Sequence, residues 1–196
     1  MHVFIDTNTF LSFYDFSSED LTDLEKLLQF IKSQKVILYV PQQVIDETWR
    51  NRDAKINTSL SIFKKWNSPL SFPAYCKTYT GYEDLKQDIK NCEKQHKVLL
   101  EEVKNHIQKE ELQADILIKK LFEAVTPIER TPAILAKAQE RVAIGHPPGK
   151  PKEFGDAINW KSLLLAVPEK ECLHLISRDE DFFSPPRKKS TASLST

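Results

Sequence analysis

The apolar positions of this 196-residue chain change their spacing from one stretch to the next, and the changes mark out its elements. Val3-Phe4-Ile5 is a short continuous apolar run of the kind shown by a strand buried on both faces, and Asp6-Thr7-Asn8 breaks it with turn-forming side chains. Leu21, Leu24, Leu28 and Ile31 then recur at spacings of three and four, which predicts a helix with one apolar face, entered through Ser17 or Ser18 as its cap. Val36 to Val40 is a second β-branched, apolar run. Pro41 ends it and presets the first turn of a helix carrying Val44, Ile45, Glu47 and Trp49.

The middle of the chain reads differently. Leu85, Ile89, Cys92, His96, Leu99, Val103 and Ile107 recur at three and four with Glu, Lys and Gln between them, the pattern of one long amphipathic helix. A second helix holds Leu112, Ile116 and Leu121, Gly81 marks a turn before the long helix, and Pro69, Pro73, Pro127 and Pro132 punctuate the segment. Gly145 to Pro151 is a loop, Asp156 to Ala166 a helix stopped by Pro168, and Cys172 to Ile176 a further strand. Residues 184–196, with Pro185-Pro186 and a Ser/Thr-rich end, have no periodicity and are expected to be disordered. The organisation expected is an α/β core from residues 1–50 and 141–183, with a helical insertion over 51–140.

Strands joined through helices imply right-handed βαβ units and a mostly parallel sheet flanked by helices. Ligands of such sheets bind outside the carboxyl ends of the strands. Asp6 and Asp179 follow predicted strands, Glu47 lies on the helix after the second strand, and Asp156 opens its helix at the positive end of the macrodipole. Carboxylates gathered at one rim repel one another unless a cation sits among them. Mg2+ and Mn2+ are hard ions that prefer carboxylate and water oxygens, and such ions activate water and offset charge on a phosphate, so phosphodiester hydrolysis is the natural reaction. Taken singly, Asp6 or Asp156 reads equally well as a turn or cap residue, Glu47 reads as a surface acid and Asp181 as part of a solvated turn; the reading rests on their order and context.

Composition narrows this further. Lys and Arg total 28 and Asp and Glu total 28, so no global field draws the chain to nucleic acid and any affinity must come from a local patch. Arg50, Arg52 and Lys55 beyond Glu47, Lys150 and Lys152 before Asp156, and Arg178 beside Asp179 are the candidate phosphate contacts. Cys76, Cys92 and Cys172 are odd in number and at no metal-ligand spacing, which suggests reduced thiols in a cytoplasmic protein. No basic leader precedes Asp6 and no apolar stretch approaches membrane-spanning length, so no membrane partner is expected. His96 reads as a core histidine, and Trp49 and Trp160 as core anchors.

The blocks Phe4-Ile5-Asp6-Thr7-Asn8, Pro41-x-x-Val44-x-x-Glu47, Gly155-Asp156-Ala157 and Ser177-Arg178-Asp179-x-Asp181-Phe182 together resemble a PIN domain. The run from Pro147 to Trp160 is similar to a PIN-like subgroup with a long helical insertion. The resemblance implies a PIN-like α/β fold and a Mg2+- or Mn2+-dependent endoribonuclease, an activity found in many bacterial toxins and here suggesting a toxin or defence effector. It further implies that Asp6, Glu47, Asp156 and Asp179 are metal-binding and catalytic, with Asp181 as an auxiliary ligand. With the expected geometry, it gives Asn8 and Ser177 the task of orienting a carboxylate or a water. RNA is then the substrate, a partner or inhibitory protein would sit on the insertion, and the oligomeric state is open. The alternative is a catalytically silent PIN-like module that binds protein or RNA through its insertion. A haloacid dehalogenase-like phosphatase is a third reading, weakened because Asn8 stands where its second Asp would be. PIN folds usually carry a further strand after the fourth acidic block; residues 184–196 do not supply one, so either the insertion supplies it or the sequence is a truncated form.

Overall fold

A computed structural model of the protein describes residues 1–15, 21–65, 71–146 and 154–178. Three parallel strands form its sheet among these residues: β1 (His2–Ile5), β2 (Ile37–Tyr39) and β3 (Leu173–Ile176), in the order β2-β1-β3. His2 is paired with Ile37 on one side and Leu173 on the other, and Ile5 with Ile176. β1 is therefore central, and Val3, Phe4 and Ile5 are all buried, which is why its sequence shows a run rather than an alternation. The fold is α/β, a small parallel sheet flanked by helices.

The helices are α1 (Thr7–Ser12), α2 (Leu21–Lys32), α3 (Gln42–Lys64), α4 (Tyr82–Gln108), α5 (Gln113–Glu123), α6 (Pro132–Ala143) and α7 (Gly155–Ala166). α2 buries Leu24, Leu28 and Ile31, the face its periodicity predicts, whereas Ser17 and Ser18 lie outside the described residues. Asp6-Thr7-Asn8 ends β1 as its side chains lead one to expect, and does so by opening a helix: Asp6 accepts a hydrogen bond from the Thr7 amide and caps α1. Gly81, at φ +92°, stands before α4 in a left-handed conformation that suits glycine. A single parallel bridge pairs Ile128 with Pro41, so the segment after α5 returns beside the end of β2.

α3 runs unbroken through residue 51, and α5 contributes Ala114, Leu117, Ile118, Leu121 and Phe122 to the same apolar cluster as β1 and β2. Helices between residues 51 and 140 are thus built into the core and do not merely hang from it. α4 is the exception: it buries no residue fully, and Leu85, Val98 and Leu99 are exposed along it. His96 is only half-buried on α4, where a ring nitrogen hydrogen-bonds the Phe63 carbonyl near the end of α3 at 3.0 Å. Trp49 packs edge-on against Phe122 but keeps part of its surface. Cys76, Cys92 and Cys172 are all free thiols. Among the described residues no helix is long and apolar enough to cross a membrane.

What fixes α3 is a buried ionic cluster. Arg52 donates from Nε and Nη2 to the two carboxylate oxygens of Asp115 on α5, at 2.6 and 2.7 Å, and from Nη2 to the Ile107 carbonyl at 3.0 Å. Tyr14, just past α1, donates to the same Asp115 carboxylate at 2.6 Å. Asp115 is fully buried, and burial pushes its carboxyl up, but the hydrogen bonds from Arg52 and Tyr14 outweigh that and hold it below its ordinary value. Burial, reinforced by the hydrogen bond to Asp115, drives the Tyr14 hydroxyl well above its usual range. Removing one member leaves the other charge buried without a partner.

Asp115→Asn is therefore expected to cost about 3–5 kcal/mol in urea unfolding, whereas replacing Asp115 and Arg52 together by apolar residues should cost less. Because the folded-state value of Asp115 is depressed, its contribution is complete above the ordinary carboxylate value near about pH 4 and is lost as acid protonates it. Wild type should lose more stability than Asp115→Asn across that acid window, measured as the difference in their urea midpoints.

Candidate functional site

Both the β1 and β3 strand ends deliver a polar side chain to one rim. Asp6 follows β1, and its amide donates to the carbonyl of Ile176, the last residue of β3, at 2.9 Å. Ser177, next in the chain, donates from Oγ to Asp6 Oδ2 at 2.9 Å, while Asp6 Oδ1 accepts from the Thr7 amide at 2.8 Å. The carboxylate is thus oriented from both sides, although it is only 3% exposed.

Glu47 reaches the same rim from α3. Thr7 donates from Oγ1 to Glu47 Oε2 at 3.1 Å, and Gln43, one turn earlier on α3, donates to Oε1 at 2.6 Å. Thr7 consequently bridges the two acids, its amide on Asp6 and its hydroxyl on Glu47. Arg130, two residues beyond the Ile128 bridge, donates to Gln43 Oε1 and pairs with Asp46 at 3.1 Å. Its grip on Gln43 fixes which end of that amide faces Glu47.

α7 closes the site. A methyl group placed on Gly155 would collide with Glu47 Oε1, so the carboxylate lies against the first residue of that helix. Glycine here permits the close approach. The positive end of the α7 macrodipole then faces the acid, and Asp156, half-buried, follows in the same turn. One turn deeper, Asn159 is completely buried, and neither its Oδ1 nor its Nδ2 finds a hydrogen-bond partner.

The remaining predicted residues fall into four groups. Arg50 is exposed and stands 3.7 Å from Glu47, and Arg178 is exposed just past β3. Arg52 is corrected: as a phosphate contact it would have to be accessible, yet its side chain is 5% exposed and spent on Asp115. Lys55 is similarly engaged by Asp15 at 2.8 Å. Asn8 is exposed on α1, and Thr7 beside it makes the contact to Glu47. Asp179, Asp181, Lys150 and Lys152 lie outside the described residues. Thr7, Gly155 and Asn159 stand in the quoted blocks and run but were given no role at the site, and Gln43 and Arg130 were not singled out. Gln43 carried a usable signal, its spacing of four from Glu47 on one helix.

Among the described residues, no three Asp, Glu, His or Cys side chains converge closely enough to grip one ion. The donors present nonetheless suit a hard divalent cation. They are oxygens, Asp6 and Glu47 are bridged through Thr7, and a buried carboxamide without a protein partner lies on the helix that touches Glu47. Mg2+ commonly takes only one or two carboxylates and keeps several waters, a demand that this set meets.

A family model described as PIN domain matches residues 3–182, and the chain belongs to that family. PIN domains are generally metal-dependent nucleases. No curated protein and no solved structure matches the chain.

Gly155→Ala tests the close approach. Alanine favours a helix interior over glycine by about 1 kcal/mol and gains less at the first position of α7, while the Glu47 contacts are disturbed, so the apo protein should melt close to wild type. Its methyl must push the Glu47 carboxylate aside. Mn2+ at millimolar concentration should raise the melting temperature of wild type by mass action and raise that of the variant much less. Equal shifts in a thermal melt would mean that the Glu47 position does not matter to the ion.

Proposed function

We propose that this PIN-domain protein is a metal-dependent endoribonuclease that hydrolyses RNA phosphodiester bonds at the Asp6–Glu47–Asp156 rim. The observation that supports the reading is the Thr7 bridge: one residue orients Asp6 and Glu47 together, at the point where Gly155 lets the first turn of α7 approach Glu47. Asp6, Glu47 and Asp156 would hold Mg2+ or Mn2+, directly or through water, with Asp179 completing the set and Asp181 assisting. When bound, the cation activates a water and offsets negative charge accumulating on the phosphate.

The protein's own groups have separate tasks in this reading. Ser177 and Thr7 keep the Asp6 oxygens from rotating, and Thr7 and Gln43 do the same for Glu47. Arg50 and Arg178, exposed beside the acids, would contact the RNA backbone, and Arg130 joins them as a partly exposed guanidinium near Glu47. Contacts of this kind fix the register of the strand without reading its sequence. Lys150 and Lys152 remain candidates for the same role.

Cleavage of a mixed RNA substrate should require Mn2+ or Mg2+, stop with chelator, and fall in Asp6→Asn and Glu47→Gln by at least about 100-fold, beyond the 10–100-fold usual for an outer partner. Circular dichroism should show both variants folded. A wild-type protein that cuts no RNA with any divalent ion would instead be the silent binding module. Cleavage surviving Asp6→Asn would place the chemistry elsewhere.

A further inference from the structure

We infer that Asn159 belongs to the ion site as a positioning residue, its carboxamide holding a water of the hydrated divalent cation beneath Glu47 and Asp156. The inference rests on the nuclease reading and extends it to a residue outside all four acidic blocks.

Packing alone does not account for Asn159. α7 buries Ala157 and Ile158 against Ile134 and Ala138 of α6, and Leu163 within the main apolar cluster. Ser162, the other buried polar residue of this helix, is satisfied by the Ile158 carbonyl at 2.8 Å. Asn159 is 0% exposed, and both polar atoms of its side chain stand without a partner. A carboxamide offers two donors and an acceptor with two lone pairs, and leaving such groups buried and unpaired costs about 1–3 kcal/mol each. An apolar side chain in the same place would avoid that cost. Native cores rarely keep such a group unless a water, an ion or a function uses it.

Helix geometry says where the amide is aimed. Side chains lean toward the N-terminus of their helix, and residues three and four apart share a face. Asn159 follows Gly155 by four and Asp156 by three, so it reaches back toward the turn that abuts the Glu47 carboxylate. The amide oxygen can accept from a water and the NH2 can donate to one, which neither a carboxylate nor an aliphatic side chain does in both senses. A hydrated Mg2+ or Mn2+ brings several waters with it. Holding one of them would fix the cation's orientation without adding charge.

Calorimetric titration of the full chain with MnCl2 provides the test, with thermal melts of the apo forms alongside. In Asn159→Leu, removal of the unpaired amide should leave apo stability equal or higher, while Mn2+ affinity falls about 10–100-fold, the loss usual for an outer partner. Asn159→Asp serves as the second variant; its added carboxylate should bind Mn2+ more tightly than wild type does. Were Asn159→Leu to unfold, Asn159→Asp would decide alone, because a site without this residue would take no benefit from the new charge. Wild-type affinity in Asn159→Leu, or unchanged affinity in Asn159→Asp, would overturn the inference and leave the nuclease reading standing. If wild type itself shows no Mn2+ binding, the nuclease reading fails and this inference falls with it.

Discussion

The rim depends on where α3 is held, and α3 is held by Arg52. Its guanidinium is forked onto the Asp115 carboxylate and also reaches the Ile107 carbonyl, so a single side chain ties α3 to α5 and to the end of α4. Tyr14 draws the segment after α1 into the same cluster. Burying charges in this way stabilises little in net terms, but it tolerates few alternative arrangements, because a slip of one turn would strand a charge in the core. Glu47 lies five residues earlier on that helix, so an arrangement fixed in the interior sets the position of an acid at the surface.

The apolar packing of α5 acts in the same direction. A helix that places Ile118 and Leu121 in the core beside β1 cannot move as an appendage, and the chain that follows it returns along β2 at Ile128. Arg130 then comes within reach of Gln43 and Asp46. A contiguous path of hydrogen bonds thus runs from the segment after α5 through Gln43 to Glu47. The exposed apolar positions of α4 lie off this path, on a helix that is mostly solvated.

Much of the fold was legible because its signals are local. The continuous run in β1, the three-and-four spacing of α2 and α4, Pro41 before α3 and Gly81 before α4 each act within a few residues. Legibility ended where distant residues combine. Nothing near Arg52 announces that Asp115, 63 positions away, will take it from the surface, and its neighbour Arg50 stays exposed on the same helix. Thr7 looked like a turn residue, yet its hydroxyl finds Glu47 only because α1 packs on α3. Gly155 shows in the sequence only as the residue before a helix opened by Asp156; its closeness to Glu47 is a tertiary fact. The order of the acids could be read, but not the neutral groups that orient them.

Those neutral groups orient Glu47 without setting a formal positive charge on it. An arginine set squarely on Glu47 would orient it but would cancel the field that attracts a cation. Arg50 stands 3.7 Å away on an exposed side chain, where solvent screens the pair. Thr7, Gln43 and Ser177 supply hydrogen bonds without formal charge, and the α7 N-terminus supplies only a partial one. Arg130 acts one step removed, orienting the Gln43 amide while its own charge is directed to Asp46. Glu47, oriented by the uncharged Thr7 and Gln43, is fixed in place without a cation set squarely on it, which suits a hard divalent ion that binds through few ligands and retains its waters.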